Sequence, residues 1–452
     1  VIIGGGPGGY EAALVARRSG ADVTLIEREG LGGATVLTDC VPSKTLIATS
    51  DLLTEVEAAA EFGVQVPHTV HADFLTVNDR VLNLARAQSS DIEHVLESAD
   101  IEVLHGSGRL LSEHQVLATT ADGERTLDAD GILIATGTDP RISADAEPDG
   151  ERILTWKQVY GLSEIPEHLI VVGSGVTGAE FASAYTGLGA RVTLVSSRDR
   201  VLPSEDGNAA SLIENIFTRR GMTVMGRSRM SSVTRDGDTV TVTLNDGRTV
   251  TGSHCLLALG SVPNTADLGL KECGVELDDG GFVRVDRVSR TTVPGIYAAG
   301  DCTGVLMLAS VAGQQGRIAM AHLLGDTVNP LNLKKVSSNV FTSPEIAKVG
   351  LSQEQIDESG VQVDTIILPL ASNPRAKMQG VRDGFVKLFS RKQIGTLIGG
   401  VIVAPRASEL IHPVSLAVSA QLTVDHMAEA FTVYPSISGS VAEAARRLHR
   451  MQ

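Results

Sequence analysis

Apolar positions in this chain follow one pattern that occurs twice. VII is a short apolar run, stopped by GGGPGG; YEAALVARRSG then carries apolar residues at helical spacing, and ADVTLIER reads as a second strand. Strand, glycine turn, helix and strand return in HLIVVGSGVTGAEFASAYTGLGARVTLVSS. Two such βαβ units predict two bound dinucleotides. A second echo supports the repeat: the buried strand ILIATGTDP ends in Thr136-Gly137, and LLALGSVPN sets Gly260 in the place of Gly137. Residues 45 to 100 read as two helices around the loop GVQVPHTVHAD, the second an amphipathic packing helix, and IEVLHGSGRLLSEHQVLATT reads as short strands. VPGIYAAGDCTG precedes a helix, MLASVAGQQGRIAMAHLLG. From about Lys335 the pattern changes to antiparallel strands and helices.

The glycines carry the first chemistry. Gly4, Gly6 and Gly9 make a G-x-G-x-x-G fingerprint: the first allows the turn, the second lets backbone approach a pyrophosphate, and the third lets helix pack on strand. Pro7 opens the helix, whose N-terminus offers N–H groups and a positive dipole end to phosphate. Glu27, closing the second strand, is placed for a ribose 2′-hydroxyl. In the second unit Gly173, Gly175 and Gly178 repeat the fingerprint, and Val176 opens the helix. There the strand ends in Ser196, with Ser197, Arg198 and Arg200 behind it. Losing the acid and gaining guanidinium groups suits a 2′-phosphate, so NADPH is favoured with NADH tolerated. The alternative is that Arg198 and Arg200 simply point to water.

A length of 452 residues suggests two to four domains, and 42% hydrophobic with 20% charged residues fits a soluble protein with a large core. The net charge of −16, with no basic run, argues against nucleic acid. No apolar run approaches the ~20 residues that span a bilayer. No signal peptide is visible; the sequence opens at Val1 inside a strand, without a methionine, so a few residues are expected before it. Cys40, Cys255, Cys273 and Cys302 have no metal spacing, so no metal is expected, and so few cysteines suit a reducing, cytoplasmic setting. Cys255 reads as a core thiol, and His68, His71 and His94 as scattered surface residues.

Gly30 to Lys44, GLGGATVLTDCVPSK, is the densest stretch. Its glycines allow close approach to a flat ligand. Pro42-Ser43-Lys44 reads as a helix start, with Cys40 just before it. A helix N-terminus and an ammonium lower a thiol pKa, so Cys40 is expected to be largely thiolate near neutral pH. The stretch resembles the active site of the flavoprotein disulfide reductases (dihydrolipoamide dehydrogenase, glutathione reductase, mercuric reductase), whose pattern is GGTCxNxGCxPSK. Cys40 takes the place of the second cysteine and Lys44 that of the lysine, but Thr35 stands where the first cysteine would be. A hydroxyl cannot form a disulfide.

The resemblance covers essentially the whole chain. It implies an α/β fold with two Rossmann-like domains, for FAD and NAD(P), plus an α+β C-terminal dimerisation domain. The implied divisions are an FAD-binding domain at 1–150, an NAD(P)-binding domain at 151–272, an FAD-binding return at 273–334 and an interface domain at 335–452. It places Gly33, Ala34, Thr35, Thr136, Gly137 and Gly260 against the cofactors. It gives Asp301 to the flavin ribityl chain and the Ala309 backbone N–H to the flavin pyrimidine ring, with Ser310 where the family often has His. It pairs Lys44 with Glu180 near the flavin N5. The family's HPTxxE, a His–Glu pair reaching the partner's active site, is YPSISG here, so Tyr434 replaces the base and Gly439 the acid. With the dithiol parts altered and both nucleotide sites kept, the chain resembles the family's quinone-reducing members. The expected activity is hydride transfer from NADPH or NADH to FAD, then electron transfer to a quinone or similar small acceptor, in a homodimer serving oxidative-stress defence. Two alternatives stay open: a single-cysteine enzyme in which Cys40 cycles to reduce peroxide or small disulfides, and a non-catalytic redox-sensing flavoprotein.

Overall fold

Two parallel sheets, one for each repeated unit, frame the structure, a computed structural model that describes residues 1–66 and 70–449. The surface placement expected for His68 lies outside the described residues. The first sheet runs in the order Ile296–Ala298, Ile132–Ile134, Ile2–Ile3, Thr24–Glu27, Glu102–Ser112, Gln115–Thr120, Gly123–Asp128. Its first five strands are parallel, in register Ile2↔Leu25 and Ile2↔Leu133. Such strands are covered on both faces and read as unbroken apolar runs, as at Ile132, Leu133 and Ile134, which are fully buried. The edge strand Ile296–Ala298 joins only after the chain has built the second unit.

Glu102–Ser112 is one strand of eleven residues, not the short piece expected. Its first half pairs in parallel with Thr24–Glu27 and its second half antiparallel with Gln115–Thr120. A strand that changes partner has no single burial pattern, so its length is hidden from periodicity.

The second sheet is also parallel: Thr223–Met225, Arg191–Val195, His168–Val172, His254–Leu257, Ile153–Thr155. The twin strand ends meet each other. Thr138–Pro140 pairs antiparallel with Ser261–Pro263, and the Asn264 N–H donates to Gly137 O at 3.0 Å. The C-terminal unit is a five-stranded antiparallel sheet, Ser337–Val340, Glu345–Gly350, Leu397–Ala404, Phe385–Arg391, Val363–Pro369, with helices packed on it.

Helices follow their apolar faces. Phe74–Ser98 buries Phe74, Val77, Val81, Ala85, Ile92 and Leu96, a stripe at steps of three, four and seven residues. Pro7–Arg18 packs on Ala309–Leu323 so closely that a Cβ at Gly316 would overlap the Gly8 carbonyl. The helix carrying the GLGGATVLTDCVPSK stretch begins at Cys40, two residues before Pro42.

Buried charge ties the second unit to the C-terminal sheet. Lys387 Nζ lies 2.8 Å from Asp206 Oδ2 and 3.0 Å from Asn208 Oδ1, both charges almost wholly covered. Lys348 Nζ reaches Glu205 Oε1 at 2.8 Å. Removing one partner of such a buried pair costs about 3–5 kcal/mol.

Candidate functional site

A cavity of about 1710 Å³ opens along the strand ends of both parallel sheets and is closed by the C-terminal sheet. Pockets for single drug-sized ligands hold about 300–1,000 Å³, so this one has room for more than one.

The two glycine turns are built alike. Gly4 and Gly173 have φ of +105° and +114°, a region where a side chain is strained. A Cβ at Gly9 would overlap Gly4 O, and one at Gly178 would overlap Gly173 O. These glycines set the turn and the helix packing, and Gly9, Gly173, Gly175 and Gly178 lie outside the cavity wall while Gly4, Gly6, Pro7 and Val176 are in it. A Cβ at Gly6 or Gly175 would meet nothing within 4 Å. Each is the N-cap of a twelve-residue helix with no side-chain cap. Open space before uncapped N–H groups is the cradle that a pyrophosphate fits. Glu27 lies in the wall and shapes the first turn: its Oε2 accepts from Gly5 N–H at 2.5 Å and its Oε1 from Glu29 N–H at 2.6 Å.

Gly33, Ala34, Thr35, Asp39, Cys40 and Lys44 form one stretch of wall. Gly32 and Gly33, at φ +89° and +55°, turn the chain into it. Lys44 Nζ lies 2.8 Å from Glu180 Oε2, joining the first unit to the second. The other Glu180 oxygen accepts the Phe341 N–H at 2.9 Å, and Lys44 stands 5.0 Å over the Phe341 ring. One ion pair thus pins all three sheets at the cavity. Burial works against the Lys44 charge, but Glu180, Cys40 and Asp39 outweigh it and raise its pKa.

Cys40 overturns the thiolate expectation. Burial first, then the Asp39 charge, push its pKa up to about 12, more than Lys44 brings it down. The other three cysteines are not in the wall, and all four thiols are free. Cys255 is buried in the core as expected.

Asp301 and Ala309 also line the cavity. Burial, then Asp39, push the Asp301 carboxyl up to about 6, and Thr138 acts the other way. Ala309 is the first residue of a fifteen-residue helix with no side-chain cap. Thr136, Gly137 and Gly260 close the cavity where the strand ends pair; Thr136 Oγ1 donates to Asn264 O at 2.7 Å.

Ser196 is a correction. Its side chain is fully buried, with its Oγ 2.6 Å from Ser174 Oγ, so it braces the turn and does not face a ligand. Ser197 and Arg198 are exposed at the same strand end, outside the cavity wall, while Arg200 is in the wall and donates to Pro203 O at 3.3 Å. Tyr434 lies outside this chain's own cavity and is 81% exposed, and the Gly439 N–H donates to Ser436 Oγ at 3.0 Å.

Sequence reasoning passed over Asp39, Phe341, Trp156 and Lys157, all in the wall. Asp39 carried a signal: the pattern GGTCxNxGCxPSK has glycine at its position. Phe341 carried none, because it arrives from a distant strand end.

The pattern of the pyridine nucleotide-disulphide oxidoreductase family matches residues 1–316, and that of its dimerisation domain residues 336–445. An NAD(P)H dehydrogenase (quinone) of Mycobacterium tuberculosis is 54% identical over 99% of this chain and 93% of its own length. A dihydrolipoyl dehydrogenase of Zymomonas mobilis is 32% identical over 98% of this chain and 96% of its own. Among solved structures, LpdA from Mycobacterium tuberculosis superposes with a TM-score of 0.96 at 53% identity, covering 100% of this chain and 99% of that one. The HOCl-induced flavoprotein disulfide reductase RclA from Escherichia coli superposes at 0.89 with 25% identity, covering 99% of both chains.

Proposed function

The chain belongs to the pyridine nucleotide-disulphide oxidoreductase family, and from that premise we propose that it is an FAD-dependent NAD(P)H dehydrogenase that passes electrons directly to a quinone. The observation that carries this reading is a solitary thiol. Among the described residues Cys40 is the one cysteine in the cavity wall, and Thr35 lines the same cavity at the sequence position where the family pattern has the disulfide partner. That thiol is held protonated chiefly by burial, which also disfavours the single-cysteine alternative, because the thiolate is the nucleophile. The mycobacterial relative at 54% identity is named for the same activity.

Bound FAD supplies hydride acceptance and electron release; this chain's residues bind, orient and screen. Gly6 and the start of the Pro7–Arg18 helix would hold the FAD pyrophosphate, Glu27 the ribose, Asp301 the polyol chain, and the Ala309 N–H the pyrimidine edge. Gly175 and Val176 would hold the NAD(P)H pyrophosphate. Lys44 and Glu180, locked together across two units, would fix the nicotinamide and answer charge on the ring system. Ser197 and Arg198, with Arg200 in the cavity wall, are the groups left to meet a 2′-phosphate, now that Ser196 faces inward, so NADPH is preferred over NADH.

The dimerisation domain suggests a homodimer. Tyr434 of the partner subunit would then line the acceptor end and hydrogen-bond a quinone oxygen. Among the described residues no helix is long and apolar enough to cross a membrane. The test is a steady-state acceptor panel with NADPH and NADH: benzoquinones and naphthoquinones should turn over, NADPH should serve better, and lipoamide, glutathione disulfide and peroxide should not turn over.

A further inference from the structure

Asp39 stands between Thr35 and Lys44 in the cavity wall, immediately before Cys40. It is the N-cap residue of an eighteen-residue helix, yet its side chain caps nothing. Its backbone is fully used: its N–H donates to Ala34 O at 2.7 Å, and its carbonyl accepts from Ser43 N–H at 2.8 Å. Its carboxyl has no hydrogen-bond partner among the described residues, and it lines the cavity between Thr35 and Lys44.

Its surroundings set its protonation. The titratable and charged groups coupled to it electrostatically are Lys44 and the Cys40 thiol on its own helix, Glu180 on Val176–Gly187, Asp301 in the turn at 301–303 and Tyr160 in the turn at 159–161. Burial raises the Asp39 pKa; Lys44 opposes and Glu180 adds to it. Lys44 is hydrogen-bonded to Glu180 at 2.8 Å, and among the described residues no hydrogen bond joins it to Asp39.

Quinone reduction needs a proton that NAD(P)H does not bring. The balance is NAD(P)H + H⁺ + quinone → NAD(P)⁺ + hydroquinone. Resting on the quinone reading above, we propose that Asp39 is the general acid that supplies this proton to the bound acceptor. The quinone gains two electrons and one hydrogen as hydride and becomes a hydroquinone anion. The Asp39 O–H bond then breaks, an O–H bond forms on the anionic oxygen, and the carboxylate takes a proton back from solvent.

The test compares the flavin-loaded enzyme with Asp39→Asn, which keeps the side chain's size. Each is reduced with NADPH and mixed with a benzoquinone or with ferricyanide, an acceptor that takes an electron and no proton. Reoxidation by the quinone should slow about 100-fold, the low end of what a positioned acid contributes, and ferricyanide should be unaffected. In the unsubstituted enzyme the quinone rate should fall as pH rises through the Asp39 pKa. An infrared band of a protonated carboxyl should titrate with the same midpoint, and Asp39→Asn should lack it. Asp39→Glu should recover most of the rate. Equal slowing with both acceptors, an unchanged quinone rate, or the same carboxyl bands with and without Asp39 would overturn the proposal. If the unsubstituted reduced enzyme already ignores the quinone, the quinone reading fails first, and the proposal with it.

Discussion

A hydroxyl at position 35 and a thiol at position 40 share one stretch of cavity wall, with Lys44 one helical turn beyond. The hydroxyl was legible in the sequence, because Thr35 falls where the family pattern has cysteine. The state of the thiol was not. A helix start and a lysine close to Cys40 in sequence both argue for thiolate, and both are present. What the sequence hides is that the helix start is buried and that Glu180 already engages Lys44. The sign follows: a thiol pushed up to about 12 stays neutral below that pH and becomes reactive only as pH rises towards it. Iodoacetamide labelling of Cys40, followed by mass spectrometry, is expected to be slow at pH 7 and still climbing above pH 10. A plateau near neutral pH would mean a thiolate. Ser196 teaches a related lesson: its place at the strand end was readable, but its inward hydrogen bond to Ser174 was not.

Among the elements, the two glycine turns were the most legible, because each glycine's spacing reports a separate steric demand. Their structure divides those demands and makes the division testable. Gly178 has no space for a methyl group, whose carbon would overlap the Gly173 carbonyl oxygen. Gly175 has φ −71° and open space. Gly178→Ala is therefore expected to lower the thermal midpoint, by the equivalent of about 1–3 kcal/mol of overpacking. Gly175→Ala should leave the midpoint unchanged and raise the KM for NADPH, since its methyl stands where backbone must approach phosphate. Thermal denaturation and steady-state kinetics read the two separately; matching effects would refute the division. The Glu102–Ser112 strand was misjudged for the opposite reason, since two different partners set its halves.

For the whole molecule, the cavity needs all three sheets: Lys44, Glu180 and Phe341 meet from separate units. Nothing local in sequence announces such a meeting; only the repeat and the family resemblance made it readable. One part of the surface remains apolar, with Phe431, Val433 and Tyr434 exposed at 106%, 78% and 81% beside the YPSISG segment. A cluster of this kind marks an association site, and it lies in the part of the chain that the family's dimerisation-domain pattern matches. Phe431→Asp is expected to shift light scattering from dimer to monomer and to reduce quinone turnover; a dimer unchanged in stability would remove this segment from the interface. The central claim is that electrons leave without passing through sulfur. Its most direct test is NADPH oxidation with a naphthoquinone, measured for the unsubstituted enzyme and Cys40→Ser side by side. The account predicts rates within a few-fold of each other; loss of quinone turnover in Cys40→Ser would contradict it.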